Sequence, residues 1–211
     1  MSDVNEVFTD IYKKNIWKSS ESISGTGSEL SETSTVIDNL PKIFKQFDIK
    51  SVLDLPCGDF NWMKTVNLSG IEYIGGDVVD AIVSKNIAEY ASEHITFKHI
   101  NLLEDPLPKV DLIFCRDCLV HFSIADIYKA LDNICNSNSK FLLTTTFTGR
   151  PTTGDIPTGD WRPINLQNQP FNLPQPIEII NEGCTQDNGA FRDKSLGLWD
   201  ISKIRRKYEY I

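Results

Sequence analysis

A chain of 211 residues, 40% of them hydrophobic and 24% charged, has the composition of a folded domain, which excludes an extensively disordered protein. Its formal net charge of −8 disfavours nucleic acid as a partner. The longest apolar run, at 110–115, is far shorter than the roughly 20 residues that span a membrane, and the N-terminus has no secretory pattern, so we expect a cytoplasmic protein without membrane contact.

Two amphipathic helices are predicted before the first strand, at 7–17 and 31–47. A Ser- and Gly-rich link, 19–28, connects them. Because these helices precede the strand–helix alternation of the core, we expect residues 1–47 to cover a ligand site, with Trp17 in the cover. Capping of the sheet edge is an equally weighted alternative.

Short apolar runs, typical of strands buried on both faces, follow at 51–55, 71–77, 95–102, 110–115 and 140–147. Segments with helical spacing lie between them, at 61–68, 80–93 and 123–138. This alternation predicts an α/β fold with a doubly wound, mostly parallel, Rossmann-like sheet. We expect one domain over 1–211, with a cofactor-binding core at 50–147 and further strands in 177–211.

The segment 148–176 is dense in Pro, Gly, Thr and Asn and has no periodicity. Loops of this length are usually functional lids or binding loops. Carboxylates, an indole and a guanidinium occur together in it and suit a hydroxyl-rich ligand such as a sugar: Asp155, Asp160, Trp161 and Arg162. A lid in which Trp161 is buried as packing is the alternative.

The five cysteines are an odd number, which argues against a disulfide framework. Cys115 and Cys118 form a lone CxxC motif. A zinc site would need a second pair or nearby histidines, so we expect reduced, buried thiols and no metal.

The turn in SVLDLPCGDFNW, residues 51–62, contains one glycine, Gly58, and matches neither G-x-G-x-x-G nor a P-loop. Acidic residues end the first two strands, Asp54 and Asp77. This arrangement suits a cofactor that carries an ammonium group and a ribose but no pyrophosphate. The alternative for Asp77 is a helix N-cap.

These features resemble the class I S-adenosylmethionine-dependent methyltransferases over roughly 50–147. That family usually has glycines where this chain has Pro56, Gly58 and Phe60. The resemblance implies S-adenosylmethionine as cofactor and S-adenosylhomocysteine as product. It places Asp77 and Val78 at the ribose. The other implied cofactor contacts, with Trp17 from the predicted cover, are Asp54, Pro56, Cys57, Gly58, Asn101, Leu102, Cys115 and Arg116. Of these, Asn101 and Leu102 would lie beside the adenine, and Cys115 and Arg116 would face the methionine part.

Methyl transfer to a hydroxyl requires an aligned acceptor and removal of its proton. His121, just past the fourth strand, is the candidate general base, since a histidine titrates near neutrality. Asp117 lies four residues earlier and would orient it if the segment is helical. A structural, hydrogen-bonded histidine is the alternative.

A narrower resemblance covers 24–33, 115–123, 159–176 and 193–199. These stretches are similar to small methyltransferases found with glycan-building enzymes in bacteria and large algal viruses, which O-methylate sugars such as rhamnose. The resemblance implies a sugar or glycan acceptor and association with glycosyltransferase domains.

Two alternative functions remain open. One is a small-molecule or protein methyltransferase of the same fold, and the other is a non-catalytic module that binds S-adenosylmethionine. The tetrad NQPF at 168–171 resembles that of N-methyltransferases but follows the fifth strand, not the fourth.

Overall fold

The computed structural model describes residues 3–204. Its helices longer than one turn and its strands are, in chain order, α1 (Val4–Lys14), α2 (Leu30–Gln46), β1 (Ser51–Asp54), β2 (Glu72–Asp77), α3 (Asp80–Tyr90), β3 (Ile95–His99), β4 (Leu112–Cys115), α4 (Ile124–Asn136), β5 (Phe141–Phe147), β6 (Glu178–Asn181) and β7 (Lys194–Asp200). Within residues 3–204, no helix has both the length and the apolar character needed to cross a bilayer.

The strands form one sheet in the order β3-β2-β1-β4-β5-β7-β6. Strands β1 to β5 pair in parallel, whereas β7 runs antiparallel to both β5 and β6. The predicted doubly wound, mostly parallel sheet is therefore confirmed. From β1 the chain moves outward through β2 to β3 and then returns to β4 on the other side of β1. Ligands of open α/β sheets bind at such a reversal, outside the carboxyl ends of the strands.

The inner parallel strands β1 and β4 contribute apolar side chains to both faces because the sheet separates two hydrophobic cores. Leu53 of β1 lies in the core that contains the buried side of α4. Its neighbour Val52 lies in the other core, with the buried side of α2. Successive side chains of a strand point to opposite faces, so both cores require apolar residues from the same short segment.

Helix α4 begins directly after the segment that carries His121. The side chain of Ser123 caps the helix by accepting a hydrogen bond from the backbone N–H of Asp126, 3.2 Å away. The carboxylate of Asp126 in turn accepts a hydrogen bond from the Thr158 hydroxyl, at 2.6 Å. The start of α4 thus anchors the loop 148–176, which contains no helix and no strand of the sheet, as predicted.

The helix predicted at 61–68 is wrong, because the segment contains only a 3₁₀ turn, Met63–Thr65. Trp62, Met63 and Val66 are all buried. Burial of these apolar side chains in one compact turn outweighs their helical spacing.

The strand-like segment 177–184 forms only the short edge strand β6. Of the strands predicted in 177–211, β7 forms as expected, and residues 205–211 lie outside the described part of the chain.

Candidate active site

A cavity of about 590 Å³ lies outside the carboxyl ends of β1, β2 and β4. Asp54, Asp77 and Arg116, from these strand ends, line it, together with residues 23–28 of the N-terminal link. It therefore occupies the point at which the strand order reverses. Its volume lies within the roughly 300–1,000 Å³ of pockets that enclose small ligands.

The turn after β1 folds back onto the end of β2. The backbone N–H of Cys57 donates to the carbonyl oxygen of Gly76 at 2.8 Å, and that of Gly58 donates to Asp77 Oδ2 at 3.1 Å. Gly58 has a φ of 53°, and a Cβ there would lie 2.1 Å from the Ser24 hydroxyl oxygen, so only glycine fits. Phe60 also has a positive φ, 57°, and its ring is buried in the core.

Asp54 and Asp77 are both buried at the cavity. Burial raises the pKa of Asp54 to about 7, although the hydroxyl of Tyr73, 2.5 Å away, donates a hydrogen bond that lowers it. Burial likewise raises the pKa of Asp77 to about 6, against the backbone N–H donors of Val79 and Gly58. Both carboxyl groups therefore titrate close to neutrality and can respond to a charged ligand.

The N-terminal link packs over the turn after β1, as the predicted cover requires. The Asp59 carboxylate accepts hydrogen bonds from the backbone N–H of Ile23 at 2.9 Å and from the Ser22 hydroxyl at 2.8 Å. Trp17 is half-buried and lines the cavity, where its ring lies 5.0 Å from the His121 ring. The cover is thus attached to the same turn that contacts Asp77.

A cluster of two cations and two carboxylates forms part of the cavity wall. Arg116 pairs with Glu182 at 2.7 Å and donates to the carbonyl oxygen of Gly27 at 2.9 Å. Lys194 pairs with Asp117 at 2.6 Å. Burial alone would raise the pKa of Asp117, but the charges of Lys194 and Arg116 outweigh it and hold that pKa well below its usual range.

The prediction that Asp117 orients His121 is wrong, because Asp117 is bonded to Lys194 instead. The segment between β4 and α4 is not a continuous helix, and Asp117 has a φ of 51°. Nδ1 of His121 donates to the backbone carbonyl oxygen of Asp160 at 2.9 Å. Because a carbonyl oxygen can only accept, Nδ1 carries the proton. Nε2, which has no hydrogen-bond partner within residues 3–204, keeps a free lone pair.

Three of the four residues predicted in 148–176 to hold an acceptor do not line the cavity. The Asp155 carboxylate accepts from the backbone N–H of Ile124 at 2.7 Å, and the buried Arg162 donates to the carbonyl oxygen of Phe122 at 2.7 Å. Asp160 contributes its backbone carbonyl to His121. These side chains and this carbonyl fix the loop. Trp161 does line the cavity and is 43% exposed, so it is available to a ligand.

The predicted cofactor residues divide in a similar way. Pro56, Cys57, Val78 and Leu102 line the cavity. Asn101 does not, because its Oδ1 accepts from the backbone N–H of Leu103 at 2.9 Å and so holds the turn after β3. Cys115 also points away from the cavity, into the core that contains α4. The structure therefore does not bring Asn101 or Cys115 to the cavity, where the resemblance implied contacts with the adenine and with the methionine part.

All five cysteines are free and buried, as predicted. No group of three or more potential metal ligands occurs within residues 3–204.

No model of a known protein family matches the sequence, and no curated protein sequence matches it. Solved structures do match. Human N-acetylserotonin methyltransferase, in complex with SAM, aligns over 69% of this chain and 42% of its own, with a TM-score of 0.51 and 18% identity. The N-methyltransferase NodS from Bradyrhizobium japonicum WM9, in complex with S-adenosyl-L-homocysteine, aligns over 69% and 74%, with a TM-score of 0.54 and 12% identity.

The chain therefore shares its fold with these methyltransferases. Magnesium protoporphyrin IX methyltransferase ChlM from Synechocystis PCC 6803, with bound SAH, also matches, over 68% of this chain and 72% of its own, with a TM-score of 0.50 and 14% identity. This chain spans less than half the length of the human enzyme. This chain and these three enzymes thus share a fold. The names of the three enzymes indicate that they methylate different molecules.

The sequence analysis missed several residues that line this cavity. Phe191, Lys194, Gln186 and Asp187 all line it, from the connection between β6 and β7 and from the start of β7. The antiparallel return of β7 beside β5 brings them there. The stretch at 193–199 was part of the narrower resemblance, but no motif in it marked Lys194 as a partner of Asp117.

Proposed function

We propose that this protein transfers a methyl group from S-adenosylmethionine to a hydroxyl group of a sugar or glycan. The observation that carries this proposal is the combination, in one cavity, of buried carboxylates at the ends of β1 and β2 with a neutral histidine whose Nε2 is free. The first part suits the cofactor, and the second suits a hydroxyl acceptor.

The residues of the cavity fit the cofactor. Five carboxylates line it, Asp54, Asp59, Asp77, Asp117 and Asp187, against two cations, Arg116 and Lys194. Even with Asp54 and Asp77 titrating near neutrality, this excess of acidic groups favours a ligand with sulfonium and ammonium groups and disfavours the pyrophosphate of a dinucleotide. Asp77 would accept the ribose hydroxyls beside Val78, with Leu102 near the adenine. Asp54 and Arg116 would face the ammonium and carboxylate of the methionine part.

When bound, S-adenosylmethionine would supply a methyl group on a sulfonium sulfur, which retains the electron pair of the broken carbon–sulfur bond. His121 would accept the proton of the acceptor hydroxyl on Nε2 as the carbon–oxygen bond forms. Burial lowers the pKa of His121, so the imidazole is neutral and able to act as a base at neutral pH. Asp117 is unsuited to that role, because its lowered pKa makes it a weak base.

The proposed acceptor class is supported by the aromatic side chains of Trp161 and Phe191, which line the same cavity as His121, and by the narrower resemblance. The exposed indole of Trp161 packs edge-on against Phe191, with ring centroids 4.9 Å apart. An exposed aromatic surface beside polar groups suits the apolar face of a sugar ring and its hydroxyls. We further propose that the protein acts in association with glycosyltransferase domains and in the cytoplasm.

The test is incubation with S-adenosylmethionine labelled in its methyl group and a panel of methyl glycosides, phenols, amines and proteins. We expect label in at least one sugar as a methyl ether that resists mild base. Label that appears only in phenols, amines or proteins would contradict the sugar acceptor. Cofactor binding without transfer to any acceptor would indicate the non-catalytic module.

A further inference from the structure

The connection between β6 and β7 lines the same cavity through Gln186, Asp187 and Phe191. Its position is fixed by contacts with the N-terminal region. Nε2 of Gln186 donates to the Thr26 hydroxyl at 2.7 Å, and the backbone N–H of Thr185 donates to the Glu32 carboxylate at 3.2 Å. This connection is therefore a preformed part of the wall.

Asp187 is held in a conformation that non-glycine residues rarely adopt. Its φ and ψ are 50° and 46°, and the next residue, Asn188, is also left-handed. The backbone N–H of Ala190 donates to the carbonyl oxygen of Asp187 at 3.1 Å and closes this turn. Strained residues of this kind concentrate at binding sites. Within residues 3–204 the Asp187 carboxylate has no recorded ion-pair or hydrogen-bond partner, so it is available to a ligand.

The two cations that line the cavity are both paired with carboxylates. Lys194 is paired with Asp117, and Arg116 is paired with Glu182. The guanidinium of Arg150, 5.3 Å from the ring of Phe191, is paired with Asp193. The unpaired carboxylate of Asp187 therefore adds negative charge to the cavity that Trp161 and Phe191 also line. Such a cavity repels a phosphate and accepts hydrogen bonds from uncharged hydroxyls.

We propose that Asp187 and Trp161 form an acceptor subsite that takes an uncharged saccharide and rejects the same sugar when it carries a phosphate. Sugar phosphates and nucleotide sugars are then poor substrates, and the acceptor is a sugar already joined through a glycosidic bond. This inference rests on the proposed function and narrows its substrate class.

The test compares kcat/KM for methyl α-L-rhamnopyranoside and L-rhamnose 1-phosphate in wild type, Asp187→Asn and Asp38→Asn. Asp38 is an exposed carboxylate on α2 that does not line the cavity and serves as the matched control. We expect wild type to prefer the glycoside by about 10-fold or more, and Asp187→Asn to narrow that preference by roughly 3- to 10-fold, mainly through KM. Asp38→Asn should keep the wild-type preference.

Equal or better use of the phosphate by wild type would overturn the inference while leaving sugar methylation intact. An unchanged preference in Asp187→Asn would overturn the role of Asp187. Because S-adenosylhomocysteine binding by each variant reports correct folding, these outcomes remain interpretable. If neither rhamnose compound is methylated, the comparison uses a methyl glycoside that the panel shows to be methylated and its 1-phosphate. Methylation of no glycoside in the panel, by protein that binds S-adenosylhomocysteine, would instead contradict the proposed function itself.

Discussion

Nδ1 of His121 donates a hydrogen bond to the backbone carbonyl oxygen of Asp160, 2.9 Å away. The same two segments are joined by two further backbone bonds, from Gly159 N to His121 O at 2.8 Å and from Arg162 N to Val120 O at 3.0 Å. The loop 148–176 therefore sets the tautomer and the orientation of the imidazole. A candidate base held in this way needs no orienting carboxylate, which explains why Asp117 is free to pair with Lys194.

Replacement of His121 by alanine should lower turnover by about 10² to 10⁴, the usual contribution of a positioned general base. Affinity for S-adenosylhomocysteine should change little, because His121 is assigned to the acceptor. Turnover with labelled cofactor and calorimetry measure the two quantities. His94→Ala is the matched control, since His94 is exposed and pairs with Glu72. If His121→Ala kept near wild-type turnover, His121 would not be the general base.

The pH dependence of kcat should show an acid limb below the ordinary histidine pKa of about 6.5. His121 must be neutral to accept a proton, so the rate rises with pH through its pKa, which burial lowers. The measurement is kcat against pH at saturating cofactor and acceptor. Because kcat reports the pKa values of the enzyme–substrate complex, this limb is separated from the titration of Asp54 and Asp77 in the free enzyme. A limb centred well above neutrality would assign the essential proton to another group.

Replacement of Asp54 by asparagine should stabilise the ligand-free protein at high pH relative to low pH. The folded-state pKa of Asp54 is raised to about 7, so the stability from its protonated form is present below the unfolded pKa of 3.8 and is lost as pH rises through about 7. Between pH 5 and pH 8 the difference in unfolding free energy, variant minus wild type, should rise by on the order of 2 kcal/mol. Denaturant unfolding at both pH values measures it, with the exposed Asp48→Asn as control. A difference independent of pH would contradict the buried, protonated carboxyl.

Replacement of Asp59 by alanine should weaken cofactor binding more than it lowers the stability of the ligand-free protein. The variant loses the hydrogen bonds that hold Ser22 and Ile23 over the turn after β1. We expect about a 10-fold loss of S-adenosylhomocysteine affinity, in keeping with bonds to a charged group. Calorimetry and thermal unfolding give the two effects. The reverse order would favour the alternative in which the N-terminal helices only cap the sheet.

The sheet could be predicted from the sequence because its signals are local. Runs such as 112–115 are apolar on both faces, and the helical spacing between the runs implies parallel crossovers. The sequence also predicts that Asp54 and Asp77 lie at the same edge of the sheet, because each residue directly ends a parallel strand. The packing of Phe60 was not predictable, because it depends on Tyr73 and Phe97 from later strands.

The acceptor side of the site depends on contacts between distant parts of the chain. Asp117 and Lys194 are 77 residues apart, and His121 and Asp160 are 39 residues apart. The second contact also uses a backbone carbonyl, which no residue type reveals. The Asp155 carboxylate likewise accepts from the backbone N–H of Ile124, 31 residues away in sequence. The sequence does not reveal this contact and therefore predicts a ligand contact for Asp155 instead.

Calorimetric titration of S-adenosylhomocysteine and NAD into wild type and Asp77→Ala tests most directly whether this cavity is the S-adenosylmethionine site. We expect wild type to bind S-adenosylhomocysteine and not NAD. Asp77→Ala should bind it roughly 10- to 100-fold more weakly, because the ribose loses a charge-assisted acceptor. Binding of NAD without binding of S-adenosylhomocysteine, or equal affinity in Asp77→Ala, would contradict the assignment of this cavity.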